Sequence, residues 1–233
     1  SLQKYRAGGM RRGFSLYTSQ LLICFLKTYL NKSNNSQFLE SKIHCIKFKD
    51  KKLTPTHMSE KETKERDFIA VPIAVLTISD KRTLAEDDSG DLLVQKIESA
   101  GHQLIDRSIC KDNLYAIRAL ISQWLIQDNI QAIITTGGTG ITGHDGTPEA
   151  ILPLLDKTID GFGEMFRSLS YQNIKTSTLQ SRAFAGVANG TFIFCLPGSP
   201  GACQDGWDLL ISHQLDNRTK PCNLVELMPR LQE

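Results

Sequence analysis

The run Gln131-Ala-Ile-Ile-Thr-Thr-Gly-Gly-Thr-Gly-Ile-Thr-Gly-His-Asp-Gly-Thr-Pro148 decides the fold, because three kinds of signal follow one another in it. Residues 131–135 read as a short strand, with Ala132, Ile133 and Ile134 giving the apolar run that suits burial on both faces. Thr136–Gly146 carries five glycines and reads as a loop. Thr147-Pro148 opens a helix, with a hydroxyl at the cap and a proline in the first turn, where no N–H is needed. Ile151, Leu152 and Leu155 give that helix its buried face. A strand that turns through glycines into a helix is the repeating unit of a parallel α/β sheet.

The same alternation continues in both directions. Upstream, Pro72–Ser79 is a near-continuous apolar run, Asp87-Asp88-Ser89 supplies helix-start chemistry, and Gly101 fits the position just past a helix end. Gln103–Cys110 reads as a second strand. Asp112 or Asn113 caps the next helix, whose face is Leu114, Ile117, Leu120, Ile121, Trp124 and Leu125. Downstream, Phe162, Met165, Phe166 and Leu169 predict a helix, Thr191–Leu196 a strand, and Cys203–His213 a final helix. The expected fold is α/β, a three-layer sandwich with a mostly parallel sheet flanked by helices. In such sheets ligands bind at the carboxyl ends of the strands, where the loops Ser79–Asp91, Thr136–Gly146 and Pro197–Gly201 fall.

Charge divides the 233-residue chain. Residues 1–57 carry 11 Lys/Arg against 2 Asp/Glu, a net +9, while the remaining 16 basic and 23 acidic residues leave −7. The basic part is expected to be an extension without a fold of its own, or, since Met58 reads as a translation start, not part of the working protein; residues 58–233 are the α/β domain. An acidic domain repels phosphate backbones, which argues against nucleic acid as a partner. No stretch of about 18 uncharged apolar residues suggests a membrane span. The six cysteines include no Cys-x-x-Cys pair, so zinc has no support, and a domain of this size does not need disulfides; reduced thiols and a cytoplasmic location are expected.

The glycine loop carries the chemistry. Successive glycines let N–H groups turn toward one point and form an anion nest, and the helix start at Thr147 adds the positive end of a dipole. A phosphate fits such a nest; a plain tight turn would be served by two glycines. Gly138-x-Gly140-x-x-Gly143 matches the dinucleotide fingerprint, but Pro148 starts the helix several residues too late, and no phosphate-binding Gly-x-x-x-x-Gly-Lys-Ser/Thr loop is present. Asp145 beside a phosphate needs a counter-charge, either Mg²⁺ or a role as helix cap. Asp112 offers a second carboxylate to metal or proton transfer, or a cap. His144 is a candidate base or a solvated loop residue. The acidic run Glu86-Asp87-Asp88 reads as a solvated helix start. Ser79-Asp80 and Pro197-Gly198-Ser199-Pro200-Gly201 offer hydroxyls and close backbone approach, and Ser181-Arg182 offers a cation to phosphate or a surface arginine. Two glycine loops with carboxylates between them predict two phosphorylated ligands, or one ligand with widely spaced anions.

Six blocks together resemble a known family: Ser79-Asp80 after its strand, Thr135–Gly140, Asp145 with Thr147-Pro148-Glu149, Asp160–Arg167 (DGFGEMFR), Thr176–Ala183 (TSTLQSRA) and Leu196–Pro200 (LPGSP). They are similar to the molybdopterin-binding family of molybdenum cofactor biosynthesis protein B and molybdopterin adenylyltransferase, over about Phe68 to Arg230. The resemblance implies the molybdopterin-binding fold, a homo-trimer or homo-hexamer, and molybdopterin as ligand. It also implies, in the catalytic relatives, adenylylation of the molybdopterin phosphate from Mg-ATP with release of pyrophosphate. Carried over by position, Asp145 and Asp112 are the catalytic pair, with Asp145 on the metal. Gly137, Gly138, Thr139 and Gly140 form the phosphate loop, Ser79 and Asp80 the first-strand loop, and Gly198 and Ser199 the second glycine loop, with Ser181 joining the binding site. The wording of the DGFGE and TSTLQSRA blocks stands closer to protein B. The alternative function is therefore a non-catalytic molybdopterin-binding or carrier protein of the same pathway.

Overall fold

The computed structural model describes residues 66–232; the basic segment 1–57 and the expected boundary at 57/58 lie outside the described residues. The strands are β1 (Pro72–Ile78), β2 (Gln103–Cys110), β3 (Ala132–Thr136), β4 (Lys157–Thr158), β5 (Phe184–Ala188) and β6 (Thr191–Leu196). The helices are α1 (Asp88–Ser99), α2 (Leu114–Leu125), α3 (Thr147–Ile151), α4 (Asp160–Ile174), α5 (Pro200–Gly206) and α6 (Ser212–Leu215), the last two joined by a π turn over Trp207–Ile211. One six-stranded sheet runs in the order β2-β1-β3-β6-β5-β4. The first four strands are parallel; β5 runs antiparallel to β6, and β4 antiparallel to β5. The mostly parallel α/β sandwich is therefore the observed architecture.

The strand patterns explain the layers. All five residues of β3 and all six of β6 are buried, as strands covered on both faces must be. Alternate residues feed two cores. Ile73, Val75, Ile134 and Phe194 pack on the α1, α4 and α5 side with Leu93, Phe166 and Trp207. Leu76, Ile78, Ile133 and Cys195 pack on the α2 and α3 side with Ile117, Ile121 and Trp124. Trp124 satisfies its indole by donating Nε1–H to Asp106 Oδ2 at 2.9 Å.

Several local expectations change. Of the acidic run at the start of α1, Glu86 and Asp88 are exposed as expected, but Asp87 is fully buried and caps α1 by accepting from the Gly90 N–H at 3.0 Å. Thr77 Oγ1 donates to it at 2.7 Å and Arg107 Nη2 at 3.1 Å, so the buried charge is paired. Asn113, rather than Asp112, caps α2, accepting from the N–H groups of Tyr115 and Ala116. Thr147 does not cap α3; its hydroxyl donates to Gly137 O at 2.9 Å, and Gly146 holds the cap position. Leu152, expected on the buried face of α3, is exposed. Strands β4 and β5 were not expected at all. The described residues contain no helix long and apolar enough to cross a membrane, and Cys110, Cys195, Cys203 and Cys222 are free.

Candidate functional site

The strand order reverses between β1 and β3, since β2 lies to one side and β6 to the other. A crevice must open there at the carboxyl ends. The register sets Thr77 opposite Thr136, and Thr136 opposite Leu196, so β1, β3 and β6 end level. The loops that leave them meet: a Cβ on Gly198 would lie 3.2 Å from Gly137 Cα. The approach leaves little room for a side chain at Gly198, and Gly137 is confined separately by β1, a Cβ there lying 2.2 Å from Ile78 O.

A cavity of about 850 Å³ sits over these ends. Ser79, Gly137, Gly138, Thr139, Gly140, Asp145, Ser181, Gly198 and Ser199 all line it. A smaller one of about 470 Å³ lies beside it, lined by Asp112, Thr142, Glu149 and Arg182 among others, and Asp145 faces both. Asp80 lines neither, but its Oδ1 accepts from the Asp112 N–H at 3.1 Å. The structure thus gathers the sequence candidates around one glycine loop.

The glycines divide by role. Gly137 (φ 103°) and Gly138 (φ 63°) take left-handed backbone. The Gly137 N–H is spent on Leu196 O at 3.0 Å, and the Gly140 N–H on the Asp145 carboxylate. Among the described residues, the N–H groups of Gly138 and Thr139 meet no protein acceptor, and neither do those of Gly198 and Ser199 in the facing loop. The nest is therefore narrower than the expectation of four donors from Gly137 to Gly140: two open amides on each side of the cleft.

Arg182 corrects the expectation of a phosphate-binding cation. Its Nε donates to Gly140 O, its Nη2 to Asp145 O and its Nη1 to Glu149, while its backbone N–H donates to Thr139 O at 2.9 Å. Every guanidinium nitrogen is committed to holding the loop in shape. The cation that does line the main cavity is Arg82, which donates to Gly198 O and Ser89 Oγ, each at 3.2 Å. Sequence reasoning passed over it because an arginine three residues beyond Ser79 looks solvated. Ser79 itself turns that loop, its Oγ accepting from the N–H groups of Lys81 and Arg82.

The carboxylates sit close enough to feel one another. Burial, and then the charges of Asp145 and Asp80, lift the Asp112 pKa against a bond from the Gly146 N–H. Asp145 is partly desolvated, but bonds from the Thr142 hydroxyl and amide and from the Gly140 amide, with Arg182 nearby, hold its carboxyl below the ordinary range. Asp112 Oδ2 points at the glycine loop, 2.9 Å from where a Gly138 Cβ would lie, and takes no hydrogen bond among the described residues. A hard, unsatisfied oxygen between two further carboxylates suits a Mg²⁺ that draws its other ligands from phosphate and water; no cluster of three or more metal-ligating side chains forms among the described residues. His144 is exposed and stands 3.7 Å from Asp80. The thiols are inert neighbours: burial pushes Cys195 up to about 12 and Cys203 to about 11.

Residues 74–217 match the family described as "Probable molybdopterin binding domain". The chain is 52% identical over 157 residues to molybdenum cofactor biosynthesis protein B of Escherichia coli K12, covering 67% of this chain and 92% of that one. It is 44% identical over 150 residues to the protein of the same name from Staphylococcus aureus Mu50, covering 63% and 89%. A crystal structure of molybdenum cofactor biosynthesis protein B superposes with a TM-score of 0.65 at 35% identity, covering 72% of this chain and 99% of that one. A strand-end cleft with two glycine loops, on a chain this similar along nearly the whole length of its relatives, places the protein in the molybdopterin-binding family of molybdenum cofactor biosynthesis protein B.

Proposed function

We propose that this chain binds molybdopterin in the cleft and adenylylates its terminal phosphate with Mg-ATP. The observation that carries the reading is the pair of open amides at Gly138 and Thr139, facing the open amides of Gly198 and Ser199 across the cavity. Such donors suit phosphate oxygens and need no reorganisation when charge develops. Gly138 and Thr139 orient the molybdopterin phosphate. One of its oxygens attacks the ATP α-phosphorus, a new P–O bond forms, the bond to the β-phosphate breaks, and pyrophosphate leaves. Arg182 and Asp145 keep the loop in the shape that aims those amides, so most of the rate comes from positioning. Asp112 and Asp145 are the residues that would hold Mg²⁺, which there would offset charge on the α-phosphate. Arg82 adds positive charge at the second loop. An assembly of three or six copies is part of the same reading.

The test is incubation of the protein with labelled ATP, Mg²⁺ and molybdopterin. Pyrophosphate release dependent on all three is expected. Asp145→Asn should abolish it, with pterin binding retained. Binding without any product, in the unaltered protein, would instead make this a carrier, and full turnover by Asp145→Asn would remove the carboxylate from the chemistry.

A further inference from the structure

We propose that Asp205, positioned by Asn173, is the specificity-determining residue that reads the aminopyrimidinone edge of the pterin. This rests on the reading that the cavity takes molybdopterin, and it assigns the end of the cavity that the phosphate loops do not explain.

Asp205 and Asn173 both line the main cavity. They come from different elements, α5 and α4, and meet across it, Asn173 Nδ2 donating to Asp205 Oδ2 at 3.0 Å. Asp205 lies six residues beyond Ser199, the α5 cap, and so roughly 9 Å along the helix from the second glycine loop. A phosphate held at the loops therefore leaves Asp205 about one fused ring system away. The same cavity is lined by Phe166 and the half-exposed Ile174, apolar side chains against which a flat ring can pack.

A pterin carries an amino N–H and a ring N–H side by side on its 2-amino-4-oxo edge. A carboxylate is the side chain that accepts both at once, in a charge-assisted bidentate pair. The bond from Asn173 uses one lone pair of Oδ2 and fixes the carboxylate plane, leaving Oδ1 entirely open. No basic side chain pairs with Asp205 among the described residues, whereas the nearby Asp208 is taken by Lys96 at 2.7 Å. A carboxylate aimed into a ligand cavity and set by an amide rather than neutralised by a cation is arranged to accept from a neutral donor edge.

The probes are molybdopterin, neopterin and the 2-oxo counterpart of neopterin, a lumazine that lacks the amino group, each followed by fluorescence titration. The unaltered protein should bind neopterin at least about tenfold more tightly than the lumazine, because losing the amino group leaves the carboxylate half-paired. Asp205→Asn should bind the two alike, while inorganic phosphate still competes with molybdopterin at the glycine loops; Asp205→Glu should recover part of the preference, and Asn173→Ala should lower it. A purely structural tether between α4 and α5 would shift thermal stability and leave the preference intact. Retention of the preference in Asp205→Asn overturns the assignment. Molybdopterin binding with no preference for neopterin in the unaltered protein also overturns it, while sparing the proposed function. The preference without molybdopterin binding would remove the proposed function and leave the carboxylate subsite standing.

Discussion

Gly137 sits at φ 103°, and a Cβ there would lie 2.2 Å from Ile78 O. Gly143 has neither constraint, with no atom within 4 Å of its would-be Cβ. The strained conformation alone costs a side chain about 1–3 kcal/mol, before the clash with the strand. Gly137→Ala should therefore lower the unfolding free energy in urea titration by at least that amount and abolish molybdopterin binding, whereas Gly143→Ala should leave both unchanged. Equal behaviour of the two variants would mean that the loop's glycine content, not its shape, matters. The sequence shows five glycines alike. Only the packing separates the two that build the turn, the two whose amides hold Asp145 and Asp112, and the one that stands free. The same holds for charges. Asp145 was legible from its place after the glycines, but Arg182 could not be told from a phosphate ligand, because its three carbonyl and carboxylate partners come from distant positions in the chain.

At the level of elements, apolar periodicity located β1, β3, β6 and the longer helices, because each buries a wide face and its hydrophobic pattern is dense, while β2, only partly buried, was found from its central Leu104 and Ile105. It missed β5, Phe184-Ala-Gly-Val-Ala188, which reads as a loop. Its small residues have a steric cause: a Cβ on Gly186 would lie 2.4 Å from Leu155 Cδ1 and 2.7 Å from Lys157 O, where β4 closes the edge of the sheet. Close approach erased the signal that strand prediction uses. The α1 cap carries a prediction of the same kind. Asn113→Ala removes an exposed cap and should cost about 1 kcal/mol. Asp87→Ala also removes a cap, but it leaves Arg107 facing a buried void and Thr77 without its acceptor, and should cost about 3–5 kcal/mol. Urea titration of both variants decides whether the buried pairing or the cap dominates; comparable losses would make Asp87 only a cap.

Over the whole molecule, the two ends of the described chain close on each other. Asn217 accepts from the Ile69 N–H and donates to Asp67 O, and Arg66 pairs with Glu226. The charged pair is exposed and contributes little. His102 is the buried member of this closure. Its Nδ1 accepts from the Val71 N–H at 3.2 Å, and its ring packs against Phe68 and Trp207. Acceptance at Nδ1 requires the neutral ring. Burial lowers the His102 pKa below 6.5, with Asp216 opposing. The unfolded chain therefore takes up a proton at its ordinary pKa while the folded chain resists, so the stability His102 contributes is complete above pH 6.5 and is lost as pH falls through the lowered value. Arg218 lies over the Phe68 ring and pairs with Asp216, which keeps that carboxylate from fully rescuing the imidazolium. Chemical denaturation between pH 7 and about 5, above the range where carboxylates titrate, should show stability falling with acid. His102→Gln keeps a neutral acceptor and should flatten that slope. An unchanged slope in the variant would place the acid sensitivity elsewhere and reduce His102 to a packing residue.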